Sequence, residues 1–183
     1  MLTIIGWLGT IIYLINHAYI SINKNWQKNI YYSANAVAAI FFVITSVFTN
    51  SWQAVVINLF WAIISLALIS GTNLNRIPLT KNFFYAVVLA MLLYFLGQYL
   101  FTGYVNIVLL GWISAVVFTS CYLLLSQEKM LPRFYLCWNA FASIIILPQL
   151  YQDVNWPVFG LQMIWAIISI YGAIRRFEDA HLL

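Results

Sequence analysis

The sequence predicts an all-α integral membrane protein: seven transmembrane helices forming two parallel three-helix repeats, joined by an inverting linker helix. Three observations carry this expectation. Hydrophobic residues make up 64% of the 183-residue chain and charged residues only 7%, with a mean hydropathy of +0.92, whereas a soluble domain carries about 25% charged residues. The chain also repeats itself, since Trp-Ala-Ile-Ile-Ser occurs at Trp61–Ser65 and again at Trp165–Ser169, 104 residues later. Finally, all eight Lys and Arg residues fall on one side when the chain is threaded through seven spans.

The apolar runs are about 17 to 22 residues long, enough to cross roughly 30 Å of hydrocarbon as helices, the only form in which a single segment satisfies its own backbone there. The first span, Leu2–Ile22, precedes the loop holding Lys24 and Lys28. The second, Ile30–Phe48, stops at Thr49-Asn50-Ser51, and the third, Trp52–Ser70, stops at Gly71-Thr72-Asn73, both turn-forming clusters. The fourth, Phe83–Phe101, closes at Thr102-Gly103. The fifth, Tyr104–Leu125, leads into the loop with Lys129 and Arg133, and the sixth is Phe134–Leu150. The seventh, Trp156–Ile174, has Pro157 in its first turn, where a missing N–H is tolerated.

The repeat extends beyond the pentapeptide. Trp52 matches Trp156, Asn58 matches Gln162, and Asn35-Ala36 matches Asn139-Ala140, all at an offset of 104. Earlier in each half the offset is 105: Gly6-Trp7 with Gly111-Trp112, Lys24 with Lys129, and Lys28 with Arg133. One residue is therefore missing between Arg133 and Tyr135 relative to the first half. These matches divide the chain into a first three-helix repeat (1–72), a linker helix (73–103), a second repeat (104–176) and a cytoplasmic tail (177–183). Three spans is an odd number, so the unmatched fourth span is what restores the second repeat to the orientation of the first.

Lys24, Lys28, Arg76, Lys81, Lys129, Arg133, Arg175 and Arg176 all lie in loops on one side or in the tail. By the positive-inside rule the N-terminus is outside and the C-terminus cytoplasmic. No basic region precedes the first span, so it is expected to be retained rather than cleaved as a signal peptide. The compact all-membrane organisation points to a bacterial inner membrane.

The residues suggest a central site. Asn58, Trp61 and Ser65 are spaced i, i+3, i+7 on one helical face, and Gln162, Trp165 and Ser169 repeat that face. An unpaired amide in hydrocarbon costs about 4–8 kcal/mol on a cyclohexane scale, so both amides should face the bundle interior. There they either bind a substrate beside stacking tryptophans or hold helices together. Asn35 and Asn139 admit the same two readings, and the Ala-x-Ala after each favours close packing. Gln98 has no repeat partner. His17 is the one ionisable residue expected at span depth; its counterpart is Tyr122. It reads as a gating or proton-linked group, or as a hydrogen-bonded neutral imidazole. His181 falls in the tail.

Enzyme chemistry has little to draw on. Glu128, Asp153, Glu178 and Asp179 are expected in loops or the tail, Ser65 and Ser169 lack a nearby base, and Cys121 and Cys137 lack metal-ligand spacing. No phosphate-binding glycine loop is present. No catalytic residue, metal or cofactor is expected, and the net charge of +4 reports topology rather than nucleic-acid binding. The expected partners are a small-molecule substrate and the lipid bilayer, with homo-oligomerisation left open.

Seven spans in a three-plus-one-plus-three parallel pattern, with the N-terminus outside, resemble the SWEET sugar transporters and their superfamily. That group includes the half-size semiSWEETs, PQ-loop proteins, nicotinamide mononucleotide transporters and KDEL receptors. The resemblance spans the whole chain at the level of topology. In SWEETs an Asn and a Trp of the third helix in each repeat line the substrate site; Asn58 and Trp61, with Gln162 and Trp165, are similar in type and helix. Two features depart from the pattern. Neither Leu2–Ile22 nor Tyr104–Leu125 contains the hinge proline of the first helix, and Pro148-Gln149 ends the sixth span, the wrong helix for a PQ-loop. The resemblance implies a facilitative carrier. The absence of acidic residues within the spans favours a uniporter of a small, polar, uncharged metabolite working by alternating access. The alternative is a non-transporting receptor or interaction protein of the same fold.

Overall fold

The computed structural model describes residues 2–178, so Asp179 and His181 lie outside the described residues. It is all-helical: α1 (Leu2–Ile22), α2 (Lys28–Phe48), α3 (Trp52–Ile69), α4 (Lys81–Thr102), α5 (Ile107–Ser126), α6 (Pro132–Gln152) and α7 (Trp156–Glu178), with a 3-10 turn at Leu74–Arg76. All seven helices are long and apolar enough to cross a membrane.

Local chemistry sets the ends that hydropathy alone misplaces. α5 begins three residues later than Tyr104 because the Asn106 side chain accepts from Leu109 N and caps the helix there. Thr80 does the same for α4, accepting from Phe83 N. α6 starts at Pro132, whose fixed φ suits a first helical position. α7 runs on through Arg175 and Arg176, so Glu178 ends a helix instead of lying in the tail.

Contacts between helices close a ring. α1 packs on α2, α2 on α3, α3 on α5, α5 on α6, α6 on α7, and α7 returns to α1. α4 stands outside this ring against α5, with only Phe84 and Val88 buried, Phe84 meeting Trp138 of α6 edge-on. Unlike in a soluble protein, the outward faces are as apolar as the interior, and the buried polar residues lie on inward faces. On α1 the buried face is Gly6, Gly9, Thr10, Tyr13, Asn16, His17, Ile20 and Ser21, while Ile4, Ile11, Ile15 and Ile22 point outward. Glycine, polar and aromatic residues inside with large aliphatics outside is the arrangement suited to lipid, where close approach and hydrogen bonds hold helices together.

Two turns share one conformation at the sequence offset of 104. Asn50 and Val154 both have φ 54°. Ser51 N donates to Ser46 O at 3.0 Å and Asn155 N to Leu150 O at 3.1 Å; Trp52 N donates to Asn50 O and Trp156 N to Val154 O. Asn accepts the left-handed region readily, whereas a β-branched Val there is strained.

Candidate functional site

At the middle of the ring, Asn58 and Trp61 of α3 and Gln162 and Trp165 of α7 line one cavity, together with Tyr13, Phe118 and neighbouring aliphatic side chains. Its free volume is about that of a single water molecule. The two indole rings lie 5.6 Å apart between centroids, inclined by 49°.

The polar groups around this space are unequally satisfied. Asn58 Oδ1 accepts from the Tyr13 hydroxyl at 3.0 Å, and Asn58 Nδ2 donates to Ala54 O at 2.8 Å. Gln162, its match in the other half, is 6% exposed and its Oε1 has no hydrogen-bond partner. A buried acceptor left without a donor costs about 1–3 kcal/mol. The cavity thus carries one unused acceptor.

Ser65 and Ser169 lie one turn further along and bond away from the cavity. The α5 side chain Tyr122 stacks on Trp61 (4.6 Å, 18°) and its hydroxyl lies 2.7 Å from Ser65 Oγ. The α1 side chain His17 stacks on Trp165 (3.6 Å, 11°), with Nε2 2.7 Å from Ser169 Oγ. His17 is completely buried, and its Nδ1 has no partner.

Asn35 and Asn139 do not line the cavity. Asn35 Nδ2 donates to the Tyr122 hydroxyl and Asn35 Oδ1 accepts from Asn16 Nδ2, both at 2.8 Å. Asn139 Oδ1 accepts from Trp165 Nε1 at 3.0 Å, and Asn139 Nδ2 donates to Tyr135 O at 2.7 Å. Both amides are therefore committed to holding the site's own aromatic residues. Gln98 of α4 lies away from the cavity and accepts from Asn106 Nδ2 at 3.1 Å.

Cross-ring contacts seal both ends. On the side of the basic loops, the Tyr31 and Tyr135 hydroxyls meet at 3.0 Å, Lys28 pairs with Glu128, and the Arg176 guanidinium donates to Ile20 O and Asn23 O. The Lys28 ammonium holds the Glu128 carboxyl below its ordinary range, first through the hydrogen bond and then through charge. At the other end, Thr10 Oγ1 lies 3.0 Å from Pro157 O and Asn155 Nδ2 donates to Ser46 Oγ at 3.2 Å. Glycines let the helices meet there: a Cβ on Gly6 would lie 2.9 Å from Pro157 Cγ, and one on Gly111 would lie 3.2 Å from Gln53 Cγ.

The aromatic partners Tyr13, Phe118, Tyr31 and Tyr135 complete the site and were not singled out from the sequence, and Tyr122 was noted only as the counterpart of His17. A signal for them exists: Tyr31 and Tyr135 match at 104, and Tyr13 and Phe118 match in ring type at 105. Asn16, which bonds both Asn35 and Tyr31 O, has no such mark, since its counterpart is Cys121. Among the described residues no group of three or more His, Cys, Asp or Glu could hold a metal ion.

One protein-family model matches the chain over residues 2–76 and 107–180. These segments contain α1–α3 and α5–α7 and leave out α4. No curated protein and no solved structure matches the chain.

Proposed function

The chain belongs to the uncharacterised family whose model covers residues 2–76 and 107–180, and from that premise we propose that it is a facilitative membrane carrier of a small, polar, uncharged metabolite. In this reading residues 1–72 and 104–176 are parallel repeats joined by α4. The N-terminus is outside and the C-terminus cytoplasmic, in a bacterial inner membrane, and the two halves rock about the central cavity. The observation that carries the proposal is the cavity itself: side chains from both halves line it at the paired tryptophans, and Gln162 Oε1 there lacks a donor. A hydroxyl or N–H of the substrate would supply that donor while the indoles supply flat walls. The water-sized space then corresponds to a closed state, sealed by Tyr31–Tyr135 and Lys28–Glu128 at one end and by Thr10–Pro157 at the other.

A second reading, a receptor or interaction protein without transport, draws support from Asn35, Asn139 and Asn58, whose amides are occupied by neighbours in the same core. Uptake of a panel of neutral metabolites into liposomes containing the purified protein distinguishes the two. Flux that is saturable and lost in Gln162→Leu supports the carrier; no flux or binding across the panel supports the alternative. Cysteines at the exposed positions Tyr104 and Gln152 should react with an impermeant reagent from outside, and labelling only from the cytoplasmic side would overturn the orientation.

A further inference from the structure

The α3–α5 pair has a second concave surface. A groove of about 300 Å³ lies between Phe60 of α3 and Thr119, Ser120 and Leu123 of α5, roofed by the loop residues Ile77, Pro78 and Leu79. Phe60 and Thr119 are sequence neighbours of Trp61 and Phe118, so groove and cavity use different faces of the same two helices. The groove is far larger than the cavity and opens on the outer surface of the ring.

Its roof is held firmly. Gln127 Nε2 donates to Leu74 O at 2.7 Å and to Ile77 O at 3.0 Å, and Lys129 Nζ donates to Leu79 O at 2.9 Å. Three cations adjoin the roof segment: Arg76 and Lys81 flank residues 77–80 in sequence, and Lys129 reaches the Leu79 carbonyl. The segment from 71 to 81 contains no acidic residue, and the nearby Glu128 is engaged by Lys28.

We infer that this groove binds an anionic glycerophospholipid, one acyl chain lying between α3 and α5 and the headgroup phosphate resting against Arg76, Lys81 and Lys129. An apolar recess on a lipid-facing surface is filled by a chain in a bilayer, and an uncompensated cluster of cations at headgroup depth selects the charged lipid over the zwitterionic one. The inference rests on the membrane orientation proposed above and not on transport. The bound lipid would brace the back of the seam that carries Trp61 and Tyr122.

Thermal unfolding and native mass spectrometry of the detergent-solubilised full chain test it. Phosphatidylglycerol should raise the melting temperature by roughly 5–10 °C at about a hundredfold excess over its dissociation constant and give a one-to-one adduct. Phosphatidylcholine should do markedly less, and inorganic phosphate nothing. The double variant Arg76→Gln/Lys81→Gln, both exposed, should keep the lipid-free melting temperature and lower the phosphatidylglycerol shift to the phosphatidylcholine level. Ser120→Trp should abolish the adduct by filling the groove; if it fails to fold, the exposed pair still decides. Equal stabilisation by the two lipids, reproduction of the shift by phosphate alone, or an unchanged shift in the double variant would overturn the inference. Labelling of Asn73→Cys from outside would instead mark failure of the orientation.

Discussion

The two seams that close the helix ring, α1 against α7 and α5 against α3, use the same positions with different chemistry. In each, a ring from the first helix of one half lies flat on a tryptophan of the other half and reaches a serine one turn away. In the α5–α3 seam the ring is Tyr122, whose hydroxyl accepts from Asn35 and has its own proton left for Ser65. In the α1–α7 seam it is His17, which reaches Ser169 through Nε2 and leaves Nδ1 bare. Asn139, the counterpart of Asn35, turns to Trp165 instead. The lesson is that positions matched in sequence place side chains in similar meetings, while single differences between them decide whether the meeting is fully satisfied. One seam is saturated with hydrogen bonds and the other leaves a buried ring nitrogen without a partner.

The largest test removes the tryptophans. Trp165→Ala and Trp61→Ala should each cost about 3–5 kcal/mol of stability in detergent. Trp165 should be the costlier, because its loss also strips Asn139 Oδ1 of its donor, whereas the Trp61 indole bond to Phe118 O is long at 3.4 Å. Equal losses in thermal or denaturant unfolding would erase the asymmetry between seams. Next, Tyr122→Phe should cost about 2–3 kcal/mol, since it leaves both a buried Asn35 N–H and the Ser65 hydroxyl unpaired, against about 1–2 kcal/mol for Ser169→Ala, which leaves only His17 Nε2 newly unpaired. A larger effect from Ser169→Ala would reverse the comparison.

The matched turns give a smaller, opposite effect. Replacing the strained Val154 by the residue used in the first half, Val154→Asn, should stabilise by about 1 kcal/mol, read as a higher melting temperature; a lower one would show that Val154 is held there by contacts worth more than its strain. The smallest effect belongs to the Lys28–Glu128 pair between α2 and the α5–α6 loop. Its carboxyl titrates below its ordinary 4.5 in the folded protein. Its contribution is therefore complete above that value and is lost as pH falls through the lowered one. The gap in melting temperature between wild type and Glu128→Gln should be small at neutral pH, both side chains being well exposed, and should vanish in acid.

Much of this was legible in the sequence because each helix is a long apolar run, and because the duplicated pentapeptide marks matched positions in two helices. Asn58, Trp61, Gln162 and Trp165 were found that way and do converge. Tyr122 and His17 were recognised as unlike residues in like positions, but an offset in sequence does not say that each ring stacks on a tryptophan of the other half. Ser65 and Ser169 share a helical face with the tryptophans, yet periodicity cannot say that Tyr122 and His17 would intercept them one turn from the cavity. The helix ends at Ile107 and Lys81 depended on the Asn106 and Thr80 side-chain oxygens, which hydropathy does not register.

The slight burial of α4 bears on how strongly the two halves must attract each other. A helix that covers little surface still tethers them covalently, and tethering of this kind sets an effective concentration on the order of millimolar. Against such a concentration, an interface worth roughly 4 kcal/mol suffices to keep the halves together half of the time. The seams α1–α7 and α3–α5 can therefore be polar and partly unsatisfied, because halves that part stay tethered and within reach of closing again. Two free three-helix units would need a tighter contact, and with it a stiffer one.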